Sequence, residues 1–350
     1  MQEATVYSER LGAISDEQFH AVADRLQIGR FVKAAPTTSG LFGQNVFVTT
    51  TEGEFVLRGA PHWVKAVHEA QWHQEDRWQF SKEKYFAEQL HAHTHAPVPW
   101  PMLHDQTNDI LGWPYLVMPR MPGICFDERS IRKALAPEDR REVAIALAET
   151  LADAQRLTSP FPGDFGIESI ELEPYATGAV RQVVDETLAN ANLVSEPAEM
   201  TDDDYAWIGA AAARALSVPE RPNTFVQCDY KLNNLTVLQR DGRWRVSGLF
   251  DLHEARFSDG ARDIVRQGCS YLDTDPDLAR VFIDAYLANV AADARIADLL
   301  PLYVMDDRMK FWSFFSRPET RAAWTIGKTF RGWAERYVDG LLGLIRGRLS

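Results

Sequence analysis

The sequence predicts an α+β chain, strand-rich in its N-terminal third and mainly helical afterwards, on three observations. Short apolar runs separated by turn residues occupy the first part: Phe31-Val32-Lys33-Ala34, Val46-Phe47-Val48-Thr49 and Glu54-Phe55-Val56-Leu57-Arg58. From Ala136 onward, long segments repeat apolar residues at helical spacing. The 350 residues are 45% hydrophobic and 25% charged, a globular composition with enough chain for two lobes and a sizeable core.

Taken in order, Ser15 is a natural N-cap for a helix to Leu26, with Asp16 and Glu17 in the first turn where the helix dipole favours acids. Ser39 to Asn45, which holds Gly40 and Gly43, is a turn between two of the strands. Phe80 to Leu90 is helical, and Ala96 to Pro101 is a proline-stiffened link. Ile110 to Gly123 contains an apolar strand that Pro119, Pro122 and Gly123 bring to an end. Ala136 to Leu157 is a long helix opened by Pro137-Glu138-Asp139, and Pro160 to Gly166 breaks it. Helical segments are predicted from about Ile167 to Ala191, from Asp202 to Leu216, and from about Asp277 to Leu342. Between them, Thr224-Phe225-Val226 runs into a loop and Leu235 to Leu238 leaves it. Asp241-Gly242 makes a two-residue hairpin turn, and Arg243 to Phe250 returns.

Composition also limits the partners. A net charge of −13 argues against nucleic acid, whose binding depends on clustered Lys and Arg, and favours a cationic small molecule. No apolar run is long enough to span a membrane, and the N-terminus lacks the basic and apolar regions of a signal peptide, so a cytoplasmic location is predicted. Cys125, Cys228 and Cys269 are too far apart and odd in number for a disulfide framework or a zinc site.

The chemistry is concentrated in Asp229-Tyr230-Lys231-Leu232-Asn233-Asn234 and in Asp251, which follows in the apolar setting Gly248-Leu249-Phe250-Asp251-Leu252. An Asp can orient a hydroxyl and accept its proton, a Lys can neutralise phosphate charge, and an Asn and a second Asp are oxygen ligands for Mg²⁺. The loop and hairpin between them are expected to bring Asn234 and Asp251 together.

The Asp-x-Lys-x-x-Asn spacing resembles the catalytic loop of protein kinases. From about Val32 to Tyr286 the chain resembles the aminoglycoside phosphotransferase and choline kinase superfamily. That resemblance implies a two-lobed protein-kinase-like fold. Residues 1–119 would form a small nucleotide-binding lobe with an antiparallel sheet, and residues 120–350 a larger, mainly helical catalytic and acceptor-binding lobe. ATP or GTP and Mg²⁺ would lie in the cleft. It further implies that the Gly40 and Gly43 loop covers the nucleotide phosphates and that Arg58 points at the α- and β-phosphates. A helix carboxylate, Glu83 by preference or Glu88 as the alternative, would hold Arg58. The hinge residues Met118, Arg120 and Met121 would take the base. Asp229 would be the catalytic base beside Lys231, Asn234 and Asp251 would be the Mg²⁺ ligands, and Asp263 would fix the metal-binding loop.

The chain departs from the family in two places. Gln227-Cys228-Asp229 stands where phosphotransferases carry His-Gly-Asp; Gln can still donate and accept, and Cys228 reads as an inert thiol. Asp251-Leu252-His253 lacks the glycine of protein kinases, and no Ala-Pro-Glu segment follows, which speaks against a protein substrate. The predicted function is transfer of the γ-phosphoryl group to a hydroxyl of a small molecule, foremost an aminoglycoside or another antibiotic. Two alternatives stand beside it: a metabolic kinase for an amino alcohol, sugar or hydroxyacyl acceptor, and a catalytically inactive nucleotide-binding protein. The chain is expected to work as a monomer or homodimer.

Overall fold

The computed structural model describes residues 5–8, 11–37, 45–59, 69–166, 168–194, 199–291, 293–317 and 320–349, with 8, 69–78 and 349 described by their backbone alone. Gly40 and Gly43 lie outside the described residues. The chain forms two compact units. One comprises Met1–Gly123, Phe165–Glu173 and Ser247–Ala255; the other comprises Ile124–Asp164, Pro174–Val246 and Arg256–Ser350.

The first unit opens with the paired strands β1 (Thr5–Ser8) and β2 (Gly12–Ile14) and continues into helix α1 (Asp16–Leu26). Ser15 begins α1 as the sequence predicts. Its side chain accepts the Gln18 N–H, and Gln18 Oε1 accepts the Ser15 N–H at 2.9 Å, a reciprocal cap. Strands β3 (Phe31–Pro36), β4 (Asn45–Thr50) and β5 (Gly53–Arg58) follow, then helix α2 (Glu69–His93) and strands β6 (Leu103–Asp105) and β7 (Tyr115–Pro119). The sheet order is β3-β4-β5-β7-β6 with antiparallel pairing throughout. Its register sets Arg58 opposite Asn45 on one side and Leu116 on the other.

Strand alternation explains how the sheet is covered. Val46 and Val48 are buried, and with Leu57, Val117 and Phe31 they meet Phe19, Val22 and Ala23 of α1. The Phe19 and Phe31 rings stack with centroids 5.1 Å apart. Arg25, in the last turn of α1, holds Asp105 at 3.0 Å and Asp109 at 2.6 Å. Tyr115 donates its hydroxyl to the same Asp105 oxygen that Arg25 binds, Oδ2, at 2.7 Å.

From Ile124 the chain forms helices α3 (Glu128–Ala134) and α4 (Pro137–Ala154) and strands β8 (Thr158–Ser159), β9 (Gly163–Phe165) and β10 (Leu172–Pro174). Helices α5 (Ala179–Ala191) and α6 (Asp202–Leu216) come next, then strands β11 (Asn223–Val226), β12 (Leu235–Arg240), β13 (Arg243–Leu249) and β14 (Arg256–Asp259). Helices α7 (Asp263–Thr274), α8 (Pro276–Asn289), α9 (Ile296–Phe315) and α10 (Phe330–Leu349) complete it. The helix predicted from Ile167 starts later, at Ala179, and β10 occupies part of the intervening segment. Pro174 closes that strand, and Gly178 enters α5 at φ 70°, a conformation that side-chain-bearing residues avoid.

The Asp241-Gly242 turn has the two positive φ values, 54° and 74°, that match the twist of a tight hairpin. Thr201 caps α6 in a reciprocal box with Asp204, so the acidic run Asp202-Asp203-Asp204 is explained as a helix start. β11 and β14 pair antiparallel with Phe225 opposite Phe257. The indoles of Trp312, Trp324 and Trp333 gather where α9 meets α10, with centroid separations of 5.8, 5.5 and 4.9 Å. Among the described residues, no helix is long and apolar enough to cross a membrane.

Candidate active site

The residues singled out by the sequence fall into two groups, one in each unit. In the first unit, Arg58 ends β5 and Glu83 faces it from α2, with Nη1 to Oε2 at 3.3 Å. Glu83 is buried, whereas Glu88 on the same helix is exposed, so Glu83 is the carboxylate that holds Arg58. Arg58 Nη2 also lies 2.9 Å from Asp251 Oδ1, and His253 Nδ1 meets the same oxygen at 2.9 Å.

Charge settles the protonation of this group. Burial works against the Arg58 guanidinium, but Glu83 and Asp251 keep it charged. Burial likewise opposes the Asp251 anion, yet Arg58 and His253 hold its carboxyl well below the usual carboxylate range. The Glu83 carboxyl is pushed up by burial, which outweighs the pull of Arg58. Against its own burial, His253 is raised by Asp251. Glu83, Asp251 and His253 each offer a ligand atom, all within 4.8 Å of one another. Of the three, Glu83 is engaged by Arg58 and raised by burial, so the ionised Asp251 carboxylate is the donor that fits a hard divalent cation such as Mg²⁺.

The residues expected to take the base, Met118, Arg120 and Met121, also belong to the first unit. Met118 is buried in β7, and Arg120 lays its guanidinium over the Phe47 ring, 3.9 Å from the centroid. The Arg120 backbone N–H donates to Glu54 O at 2.9 Å, so it extends the sheet. Met121 follows it outside the strand.

In the second unit, Asp229, Lys231 and Asn234 come together. Asp229 Oδ2 accepts from Lys231 Nζ at 2.6 Å and from Asn234 Nδ2 at 3.0 Å. Asn234 Nδ2 also donates to the Asp229 carbonyl at 3.0 Å, so its amide oxygen is the atom suited to a cation. Asn234 and Asp251, expected to share one ion, lie in different units.

Helix α7 fixes the loop. Asp263 accepts the Gln227 N–H at 2.6 Å and the Cys228 N–H at 2.9 Å, one on each oxygen. Gln267 Oε1 takes the Leu232 N–H at 2.7 Å, and Tyr230 donates its hydroxyl to Leu147 O at 2.7 Å. Cys228 occupies the family's glycine position and adopts a left-handed φ of 67°, which accounts for the glycine preference there. Burial pushes its thiol up, so the cysteine is not an activated nucleophile.

Sequence reasoning missed Arg266. Its Nη1 is 2.9 Å from Asp229 Oδ1, and its Nε donates to Asp307 Oδ1 at 2.6 Å. Asp307 is in turn bound by Arg308. Despite burial, the two arginines hold the Asp307 carboxyl well below the usual range. Arg266 and Gln267 follow Asp263 by three and four positions on α7, the spacing that puts residues on one helix face. That spacing was the available signal. His253 was missed because nothing in a lone histidine marks it as a carboxylate partner.

A family model described as "Phosphotransferase enzyme family" matches residues 33–299. Over 226 residues the chain is 24% identical to acyl-CoA dehydrogenase family member 11 of Rattus norvegicus, covering 63% of this chain and 27% of that protein. The chain therefore spans about a quarter of the length of that curated relative. Among solved structures, it resembles a Ralstonia eutropha JMP134 protein described as an aminoglycoside phosphotransferase, with a TM-score of 0.63, 12% identity, and 95% of this chain and 98% of that one covered. It also resembles choline kinase LicA of Streptococcus pneumoniae, with a TM-score of 0.54, 14% identity, and 93% and 99% covered. A thermostable mutant of aminoglycoside phosphotransferase APH(4)-Ia, in ternary complex with ADP and hygromycin B, has a TM-score of 0.56 at 14% identity, with 93% and 97% covered. At these identities the structural likeness establishes the fold, which is protein-kinase-like.

Proposed function

Because the chain belongs to the phosphotransferase enzyme family, we propose that it moves the γ-phosphoryl group of ATP or GTP to a hydroxyl of a small molecule. The observation that carries this reading is the grouping of Lys231 and Asn234 on the Asp229 carboxylate. Asp229 orients the acceptor hydroxyl and takes its proton as the oxygen attacks phosphorus. Lys231 and Arg58 offset phosphate charge, and Glu83 keeps Arg58 in place. Met118, Arg120 and Met121 are assigned to the base, and Gly40 and Gly43 to the phosphates. Asn234 and Asp251 would hold Mg²⁺, which when bound neutralises charge on the nucleotide phosphates. Catalysis then rests on positioning and electrostatics.

The surroundings of Asp229 favour a metabolic acceptor, such as a hydroxyacyl compound, over an aminoglycoside. A polycationic antibiotic needs carboxylates free to receive its ammonium groups. Asp229 and Asp307 are both taken by Arg266, Glu186 by Arg256 and Arg262, and Asp306 by Arg262. Arg256, Arg262 and Lys310 all bear electrostatically on Cys228, beside Asp229.

The test is to incubate the protein with MgATP or MgGTP and a panel of hydroxyacyl compounds, sugars, amino alcohols and aminoglycosides, scoring a mass gain of one phosphoryl group. A gain on hydroxyacyl compounds that Asp229→Asn abolishes, with nucleotide binding retained, is the expected result. Phosphorylation confined to aminoglycosides would refute the acceptor assignment, nucleotide binding without transfer to any acceptor would leave the inactive nucleotide-binding alternative, and absence of Mg²⁺-nucleotide binding would refute both kinase readings.

A further inference from the structure

We propose that Arg266 is a positioning residue for phosphoryl transfer, acting through Asp229; this rests on the function proposed above. Among the described residues Asp229 has three side-chain partners, and two of them, Lys231 and Asn234, come from its own loop. Arg266 alone of the three comes from another element, α7, and so ties the carboxylate to the body of the second unit.

The guanidinium is itself immobilised. Nη1 faces Asp229 Oδ1 at 2.9 Å, Nε donates to Asp307 Oδ1 at 2.6 Å, and the Phe311 ring lies under the group with its centroid 4.4 Å away. Asp307 cannot drift, because Arg308 donates to its other oxygen at 2.9 Å and packs 4.7 Å from the same ring. Asp307 and the Phe311 ring hold the guanidinium in place independently of Asp229, so it offers that carboxylate an ion-pair partner of fixed position.

Lys231 is a different kind of partner. Its ammonium sits on a flexible stem that is 28% exposed, against 13% for Arg266. When Lys231 turns to phosphate, Arg266 keeps Asp229 aimed at the acceptor oxygen. Misplacing a reacting group by about 1 Å costs on the order of a hundredfold in rate.

Removing Arg266 leaves Asp307 paired with Arg308, so the variants retain a partner for the deeper carboxylate. The experiment compares wild type, Arg266→Ala and Arg266→Lys in phosphate release from MgATP and MgGTP with water as acceptor. Amide hydrogen exchange over residues 228–234 is measured in parallel. Arg266→Ala is expected to lose roughly a hundredfold in kcat while its nucleotide KM holds and its melting midpoint falls only in part, and Arg266→Lys is expected to recover part of both losses. Exchange is expected to quicken over 228–234 and to stay unchanged in α4. Wild-type kcat in Arg266→Ala, or a joint collapse of KM and melting midpoint in both variants, overturns the proposal. If the wild type releases no phosphate to water, the exchange data decide by themselves: unchanged exchange over 228–234 in Arg266→Ala overturns the proposal, while the phosphotransferase reading is judged separately by the acceptor panel.

Discussion

Asp263 takes the Cys228 N–H on one carboxylate oxygen at 2.9 Å, while Cys228 holds a left-handed backbone. The second oxygen binds the Gln227 N–H at 2.6 Å. Burial pushes the Asp263 carboxyl up to about 7, against the pull of those two donors. Asp263→Asn sets an amide NH₂ against one of the backbone N–H groups and is expected to cost about 1–3 kcal/mol in denaturant unfolding. The pH dependence has a definite sign. A raised folded-state value gives a contribution fully present below the ordinary carboxyl range and lost as pH rises through about 7. The stability gap between wild type and Asp263→Asn should therefore narrow between about pH 4 and 7 and stay level above that; a gap that widens contradicts the assignment.

Arg58 is the cation between two carboxylates. Arg58→Ala strands Glu83, which is 1% exposed, and is expected to destabilise the first unit by about 3–5 kcal/mol. Glu83→Gln should be milder, because Arg58 keeps Asp251 at 2.9 Å. Thermal melts of the two variants give the order, and the reverse order would show that Arg58 is not the centre of the group.

Gly260 stands just before the loop-anchoring helix. A Cβ there would lie 2.6 Å from both Gln155 Oε1 and Thr224 Oγ1. Gln155 cannot swing aside, since its Nε2 donates to Gly260 O at 2.7 Å and its Oε1 accepts from Tyr286 at 2.7 Å. Gly260→Ala is expected to cost about 1–3 kcal/mol, read from the shift in denaturation midpoint at unchanged slope. A neutral substitution would mean that this contact relaxes freely.

The three thiols should separate by reactivity. Cys125 is exposed, Cys228 is intermediate, and Cys269 is buried with its thiol pushed up by desolvation to about 12. A maleimide added to native protein is expected to label Cys125 first and Cys269 only on unfolding, as peptide mass mapping over time would show. Early labelling of Cys269 would refute the packing around α7.

Local chemistry made much of this legible. Ser15 announced α1, Asp241-Gly242 announced the hairpin, and the Asp229, Lys231 and Asn234 spacing brought two side chains onto the Asp229 carboxylate. Orientation was the limit. Glu83 and Glu88 are both plausible partners for Arg58 on a helix pattern, and only packing turned one inward and the other to solvent. Arg266 was hidden for a related reason: its partners Asp229 and Asp307 are distant in the chain and meet only when α7 and α9 pack. The segment after Ile167 misled because apolar spacing there was read as helical through Pro174 and Gly178.

The crowding of Trp312, Trp324 and Trp333 supplies an optical handle. Three of the ten indoles lie close enough, at 4.9 to 5.8 Å, for their excited states to couple. The near-ultraviolet circular dichroism should carry a strong signature from this one corner, and its loss on heating would time the parting of α9 from α10 without any added label.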